Sequence, residues 1–256
     1  MGPTTYRYGP ASAQAADLFV PDAPEGTVRG VVTLLHGGFW RARYDRGQSV
    51  PLALDLVAAG WAVWNVDYRG VDPTVTGAAR AGWPYTYQDV ATAADLLVDV
   101  AAHRGLTLTR TVAVGHSAGG ALALWLAHRS LAGDPWSQRE PLRLSGVVAQ
   151  GAVCDLAAAD RDHLGDGAVR DLFDGGPPDP AADPAAHLPL RVPILLVTGE
   201  RDDVVPPSQP AGFAARARAA GDDVTEWRDP TAGHFEHLDP TSACWHAVRD
   251  WLAGLP

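Results

Sequence analysis

Short apolar runs rich in β-branched residues recur along this chain and alternate with longer stretches in which apolar residues return every three or four positions. The short runs cover residues 28–35, 61–66, 110–114, 144–149 and 194–197, with 224–227 reading as a final, edge-like strand. They are apolar on both alternating faces, which suits strands of a parallel sheet covered by helices on each side. The longer stretches predict helices over 49–59, 87–103, 118–131, 209–220 and 243–252. In 87–103 the stripe is explicit, with Val90, Ala94, Leu97, Val98 and Ala101 on one face. Repeated strand–helix alternation implies an α/β fold: a central, mostly parallel sheet with helices on both faces and right-handed crossovers. Residues 6–19 predict an antiparallel hairpin at one edge.

Two segments break the rhythm. Residues 69–84 hold several glycines and prolines beside Trp83 and Tyr85, and residues 155–189 are dense in Asp, Pro, Gly and Ala. Connections this long usually carry function. The second is the candidate for a small lid, within a single domain spanning 1–256.

Composition narrows the class. A domain of 256 residues buries enough surface to need no staple. The two cysteines, Cys154 and Cys244, form no C-x-x-C pair, so a zinc ribbon or redox dithiol is not expected. Twenty basic against thirty acidic residues give a formal charge of -10. That field repels phosphate backbones and argues against nucleic acid or an anionic membrane as partner. No apolar run has the length of a membrane span, and residues 1–16 lack a basic start followed by an apolar stretch, so the expected location is the cytoplasm. A homodimer is left open.

The strongest motif is Gly115-His116-Ser117-Ala118-Gly119, a G-x-S-x-G sequence directly after a predicted strand and directly before a predicted helix. A serine on so sharp a turn projects out of the sheet, and the helix N-terminus beneath it favours developing negative charge. Ser117 is therefore the candidate nucleophile. His116 is adjacent in sequence and cannot easily turn back on Ser117, so it is read as a neighbour of the turn. Upstream, His36-Gly37-Gly38-Phe39-Trp40 follows the first long strand. Acyl transfer needs backbone N–H groups aimed at the carbonyl oxygen, and the expected donors are those of Ala118 and of Gly38 or Phe39. His36 is expected to brace this loop.

Beyond the nucleophile, an acid and then a histidine should follow. Gly199-Glu200-Arg201-Asp202-Asp203-Val204-Val205-Pro206 comes after a late strand. Asp202 is the preferred acid, Asp203 its near alternative, and Asp155 a rival at the end of the preceding strand. In Ala232-Gly233-His234-Phe235-Glu236-His237 the preferred base is His234, with His237 as competitor. A metal reading of this H-x-x-H pair lacks a third ligand cluster, so no metal and no organic cofactor are expected.

Together these motifs resemble the α/β-hydrolase superfamily over nearly the whole chain. The His36–Trp40 loop, the Gly115–Gly120 run and His234-Phe235-Glu236 look like those of arylformamidases (kynurenine formamidases) and related esterases. The pattern from Gly199 through Asp202 to Val205-Pro206 looks like that of prolyl-oligopeptidase-type catalytic domains. In that pattern the acid is the first Asp, which supports Asp202. The resemblance implies a Ser117–His234–Asp202 triad hydrolysing a small-molecule ester or amide. Phe39 stands where the esterase loop has a third glycine, which implies a crowded site suited to a small acyl group. Trp40, Trp83 and Tyr85 are the residues expected to line a site for a planar leaving group. The competing readings are a serine peptidase, a non-catalytic binding homologue, and a lyase or haloperoxidase-like activity on the same fold.

Overall fold

The computed structural model describes residues 2–22, 27–72, 74–75, 81–132, 136 and 139–255. Part of the 69–84 break, residues 73 and 76–80, lies outside the described residues. Eight strands form one sheet in the order β1-β2-β4-β3-β5-β6-β7-β8. They are β1 (Thr4–Arg7), β2 (Ala15–Phe19), β3 (Val31–Leu35), β4 (Ala62–Val66), β5 (Thr111–His116), β6 (Gly146–Gln150), β7 (Ile194–Gly199) and β8 (Val224–Asp229). From β4 to β8 every pairing is parallel, while β1 with β2 and β2 with β4 are antiparallel, so the hairpin is the edge expected from residues 6–19.

The central strands are buried along their whole length because both faces are covered. Their alternation sorts side chains cleanly. Val31, Leu35, Trp64, Ala113, Val147, Ile194 and Leu196 point to one core. Val32, Leu34, Val63, Val112, Val114, Val148, Leu195 and Val197 point to the other. The first core is closed by α2 (Tyr85–Arg104), α3 (Ala118–Ala132) and α6 (Ser208–Ala219), and the second by α1 (Val50–Ala58) and α7 (Ala243–Gly254). Each fully buried Val, Leu or Ile contributes about 1.5–3 kcal/mol relative to exposure, so this two-sided burial dominates the stability. The ends are set locally: the Ser242 hydroxyl caps α7 by accepting from the Trp245 N–H at 3.1 Å, and Gly105 ends α2 at a φ of 64°. By contrast β8 is only half buried, in keeping with its place at the edge.

The 155–189 segment folds as two short helices, α4 (Leu156–Arg161) and α5 (Leu164–Leu172), followed by a stretch with little regular structure. Leu156, Ala159, Val169 and Leu172 join the first core. The first turn of α5 is left-handed at Gly165, Asp166 and Gly167. No helix among the described residues is long and apolar enough to cross a membrane.

Strand order reverses direction around β3, which lies between β4 and β5. In open parallel sheets the crevice beyond the carboxyl ends at such a point is where ligands bind. The loop after β3, the turn after β5, the loop after β7 and the segment after β8 all meet there.

Candidate active site

Ser117 occupies the turn between β5 and α3 with φ at 55°, the left-handed region that costs a non-glycine residue about 1–3 kcal/mol. The surroundings hold it there. Its N–H donates to the Gln150 carbonyl at 2.9 Å, and its own carbonyl accepts from the Gly120 N–H at 2.9 Å. The flanking glycines are required by close approach. A Cβ on Gly115 would lie 2.0 Å from the Gly119 carbonyl oxygen, and one on Gly119 would lie 2.1 Å from that of Leu35.

His234 and Asp202 are both buried, and their side chains meet at 2.7 Å between Nδ1 and Oδ2. A carboxylate only accepts, so Nδ1 carries a proton, and in the neutral ring the lone pair lies on Nε2. The other oxygen of Asp202 accepts the N–H groups of Val204 at 2.9 Å and Val205 at 2.8 Å. Three donors thus fix one carboxylate. Ser117 and His234 line a common cavity of about 470 Å³.

The rival residues lie elsewhere. Asp203 is exposed. Asp155 caps α4 through the Ala158 N–H and pairs with Arg216. His237 is sealed from solvent in the turn before Asp239 and does not line the cavity. Burial pushes its pKa down to about 4, so it is neutral at ordinary pH. Neither ring nitrogen of His237 has a hydrogen-bond partner among the described residues. His116, held low in pKa first by burial and then by the neighbouring His234 and His237, makes a contact of 2.9 Å from Nε2 to the His234 carbonyl. A carbonyl only accepts, so Nε2 carries the proton, and His116 anchors the backbone of His234.

After β3 the chain turns through three residues of positive φ: Gly38 at 107°, Phe39 at 51° and Trp40 at 56°. The turn is closed by the Arg41 N–H donating to the Gly38 carbonyl at 3.0 Å. His36 lies flat on the Tyr68 ring with centroids 4.2 Å apart, its Nε2 is 3.2 Å from Asp67, and the Tyr68 hydroxyl donates to the His36 carbonyl at 2.7 Å. Among the described residues, nothing accepts the N–H groups of Gly38, Phe39 or Ala118.

The three aromatic residues expected to receive a leaving group are corrected by the fold. Trp40 is 1 % exposed and belongs to the core, because the left-handed turn sends Phe39 toward the cavity and Trp40 inward. Trp83 packs edge-on against Tyr87 at 5.0 Å, and its indole N–H donates to Asp179. Tyr85 lies out on the surface under the Arg69 guanidinium. None of the three lines the cavity; Phe39, Tyr44 and Phe235 supply its rings instead. Sequence reading missed Tyr44 together with Arg41, Arg43 and Gln48, although they continue the His36–Trp40 motif directly. It also missed α5 as a wall. Gly165 lies on the Phe39 ring so closely that a Cβ would be 2.7 Å away, and the Arg41 guanidinium donates to the Gly165 carbonyl at 2.6 Å.

Comparison with known proteins bears on the family and the fold. The model of the BD-FAE family matches residues 16–216. Esterase LipQ of Mycobacterium tuberculosis is 26% identical over 261 residues, covering 96% of this chain. The chain spans 60% of the length of that relative. Among solved structures, a truncated carbohydrate esterase from gut microbiota superposes with a TM-score of 0.79 at 19% identity, covering 99% of this chain and 98% of the other. Esterase B from Lactobacillus rhamnosis superposes with a TM-score of 0.81 at 20% identity, covering 98% and 83%. At those identities the structures speak to the fold, which is the α/β-hydrolase arrangement of sheet and helices.

Proposed function

This chain belongs to the BD-FAE family, and we propose that it is a serine hydrolase of small carboxylic esters, with Ser117 as nucleophile, His234 as base and Asp202 as acid. One observation carries the reading: the Asp202-bound imidazole of His234 and the strained Ser117 border the same cavity. The esterase names of its relatives support it.

The chemistry follows from the protonation state. With Nδ1 donating to Asp202, Nε2 of His234 takes the Ser117 proton as Oγ attacks the ester carbonyl. The developing oxyanion is met by the N–H groups of Ala118 and of Gly38 or Phe39. His234 then returns the proton to the leaving alcohol, leaving an acyl-enzyme on Ser117. Water, deprotonated by the same Nε2, attacks that acyl group, and the proton goes back to Ser117 as the acid departs. Asp202 stabilises the imidazolium in both halves without taking its proton.

The acyl group is small in this reading, formyl or acetyl, because Gly165 and the Arg41 hydrogen bond press the lid segment onto Phe39. A formyl amide of the arylformamidase kind fits the same reading. The test is labelling of folded protein with a fluorophosphonate probe, together with release of p-nitrophenol from the acetate. Adduct at Ser117 and turnover abolished in Ser117→Ala support the proposal. Absence of an adduct in folded protein overturns it. Turnover of N-formylkynurenine alongside the acetate decides whether amides are included.

A further inference from the structure

The cavity has lining of two kinds. Val204, Phe235 and Leu238 contribute apolar surface, while Arg43, Tyr44 and Gln48 contribute polar and cationic groups. The arginines of this acidic chain are commonly held by its own carboxylates, as Arg46, Arg69 and Arg129 are. At the cavity, Arg41 is similarly engaged, by the Gly165 carbonyl and, at 3.8 Å, by Asp171. Arg43 is different. It is exposed, and among the described residues no carboxylate pairs with it. Its guanidinium stands over the Tyr44 ring, 5.0 Å from the centroid.

The backbone turn that carries Arg43, and the ring beneath it, are held in place. The Tyr44 ring presses on the oxyanion loop so tightly that a Cβ on Gly38 would lie 2.3 Å from it. The Ala42 N–H donates to the Val71 carbonyl at 3.0 Å, and the Tyr44 N–H to the Arg41 carbonyl at 3.2 Å. Arg43 is therefore presented from a pinned turn, stacked on a ring that itself touches the loop beside the scissile carbonyl. A guanidinium presents a planar fork of donors that matches a carboxylate. A solvent-facing cation at the mouth of a site, in a protein whose net charge is -10, gains a ligand only through a local contact, since the long-range field repels anions.

We infer that the ester taken by this site carries a carboxylate on the part that lies toward the mouth, and that Arg43 binds it. The inference rests on the serine-hydrolase reading and adds the substrate class to it. The one carboxylate among the described residues lining the cavity, the exposed Asp166 in the first turn of α5, repels such a group and sets the opposite sign on the lid side.

The test uses two acetyl esters of equal shape, 4-acetoxybenzoate and its neutral amide 4-acetoxybenzamide, and reads phenol release. In the wild type, kcat/KM favours the acid by about threefold to fivefold at low ionic strength, the scale of one exposed ion pair, and the preference shrinks in about 0.5 M salt. Arg43→Gln brings the ratio toward one, Arg43→Lys keeps part of it, and Asp166→Asn raises it. A wild-type ratio at or below one overturns the inference while leaving the esterase reading intact. So does a preference that Arg43→Gln does not change, or turnover of neither ester by a protein that fluorophosphonate labels at Ser117. Absence of that labelling removes the esterase reading and this inference with it.

Discussion

The floor and the mouth of the cavity are built on opposite terms. On the floor, Ser117, Asp202 and His234 are each at most 6 % exposed, and their backbone or side-chain polar groups are committed to neighbours of the same fold. At the mouth, Phe235 is 67 % exposed and Arg43 lies open to solvent. An apolar ring left in water and a cation left without a carboxylate gain nothing for stability. On the proposed reading, the floor buries its polar groups because proton transfer needs fixed geometry and low dielectric, whereas the mouth leaves its groups free to meet something else.

This contrast is broken first at the floor. Ser117→Ala and Asp202→Asn should each lower kcat for p-nitrophenyl acetate by about 10⁴. Near-native kcat in Asp202→Asn would mean that the carboxylate is not orienting His234. Gly119→Ala drives a methyl into the Leu35 carbonyl and should destabilise the protein by about 3 kcal/mol, read from the midpoint of urea unfolding.

Acid should reveal the buried histidines behind the triad. The His237 pKa is depressed to about 4 in the folded protein, while an unfolded histidine titrates near 6.5. Below that value the unfolded chain binds more protons, so this contribution is intact above about pH 6.5 and is lost as pH falls toward 4. His116, depressed in the same direction, adds to the loss. Unfolding midpoints between pH 7 and 4.5 should fall less steeply in His237→Gln than in the wild type.

Toward the mouth the effects shrink. Arg41→Gln removes the hydrogen bond to Gly165, and amide exchange over residues 163–167 should quicken by about tenfold as the wall on Phe39 loosens. Turnover of p-nitrophenyl butyrate relative to acetate should rise in the same variant. The smallest effect is expected at Phe235. Replacement by Ala should raise KM for aromatic esters about threefold through lost apolar contact. Its unfolding free energy should stay within about 0.5 kcal/mol of wild type. A large loss of stability there would show that the ring serves the fold.

Much of this was legible along the chain because it is locally encoded. Strands β3 to β7 and helices α1, α2, α3, α6 and α7 fall within a few residues of their apolar periodicities. Departures are at the ends: β5 runs on through His116, and α2 starts two residues early at Tyr85. The G-x-S-x-G turn was readable because its glycines answer a steric demand between adjacent elements. The 155–189 segment was harder. Its Asp-, Pro- and Gly-rich composition reads as loop, yet Leu156, Ala159, Val169 and Leu172 find a core supplied by distant strands.

The sequence by itself determined the order of elements, the serine on its turn, and a short set of carboxylates and histidines that could serve it, because each depends on periodicity or on contacts between neighbours in the chain. Only the tertiary structure decided which of them meet. Asp202 and Asp203 are adjacent and chemically alike, but alternate residues of a turn face opposite ways, so one is bonded to His234 and the other is in water. His234 and His237 are three positions apart, and one borders the cavity while the other is sealed. Trp40 looked like a site residue and became core, because a backbone of positive φ reverses where successive side chains point. The direction of a side chain off a turn is set by dihedral angles and by the elements packed around it, and neither is written in the order of the residues.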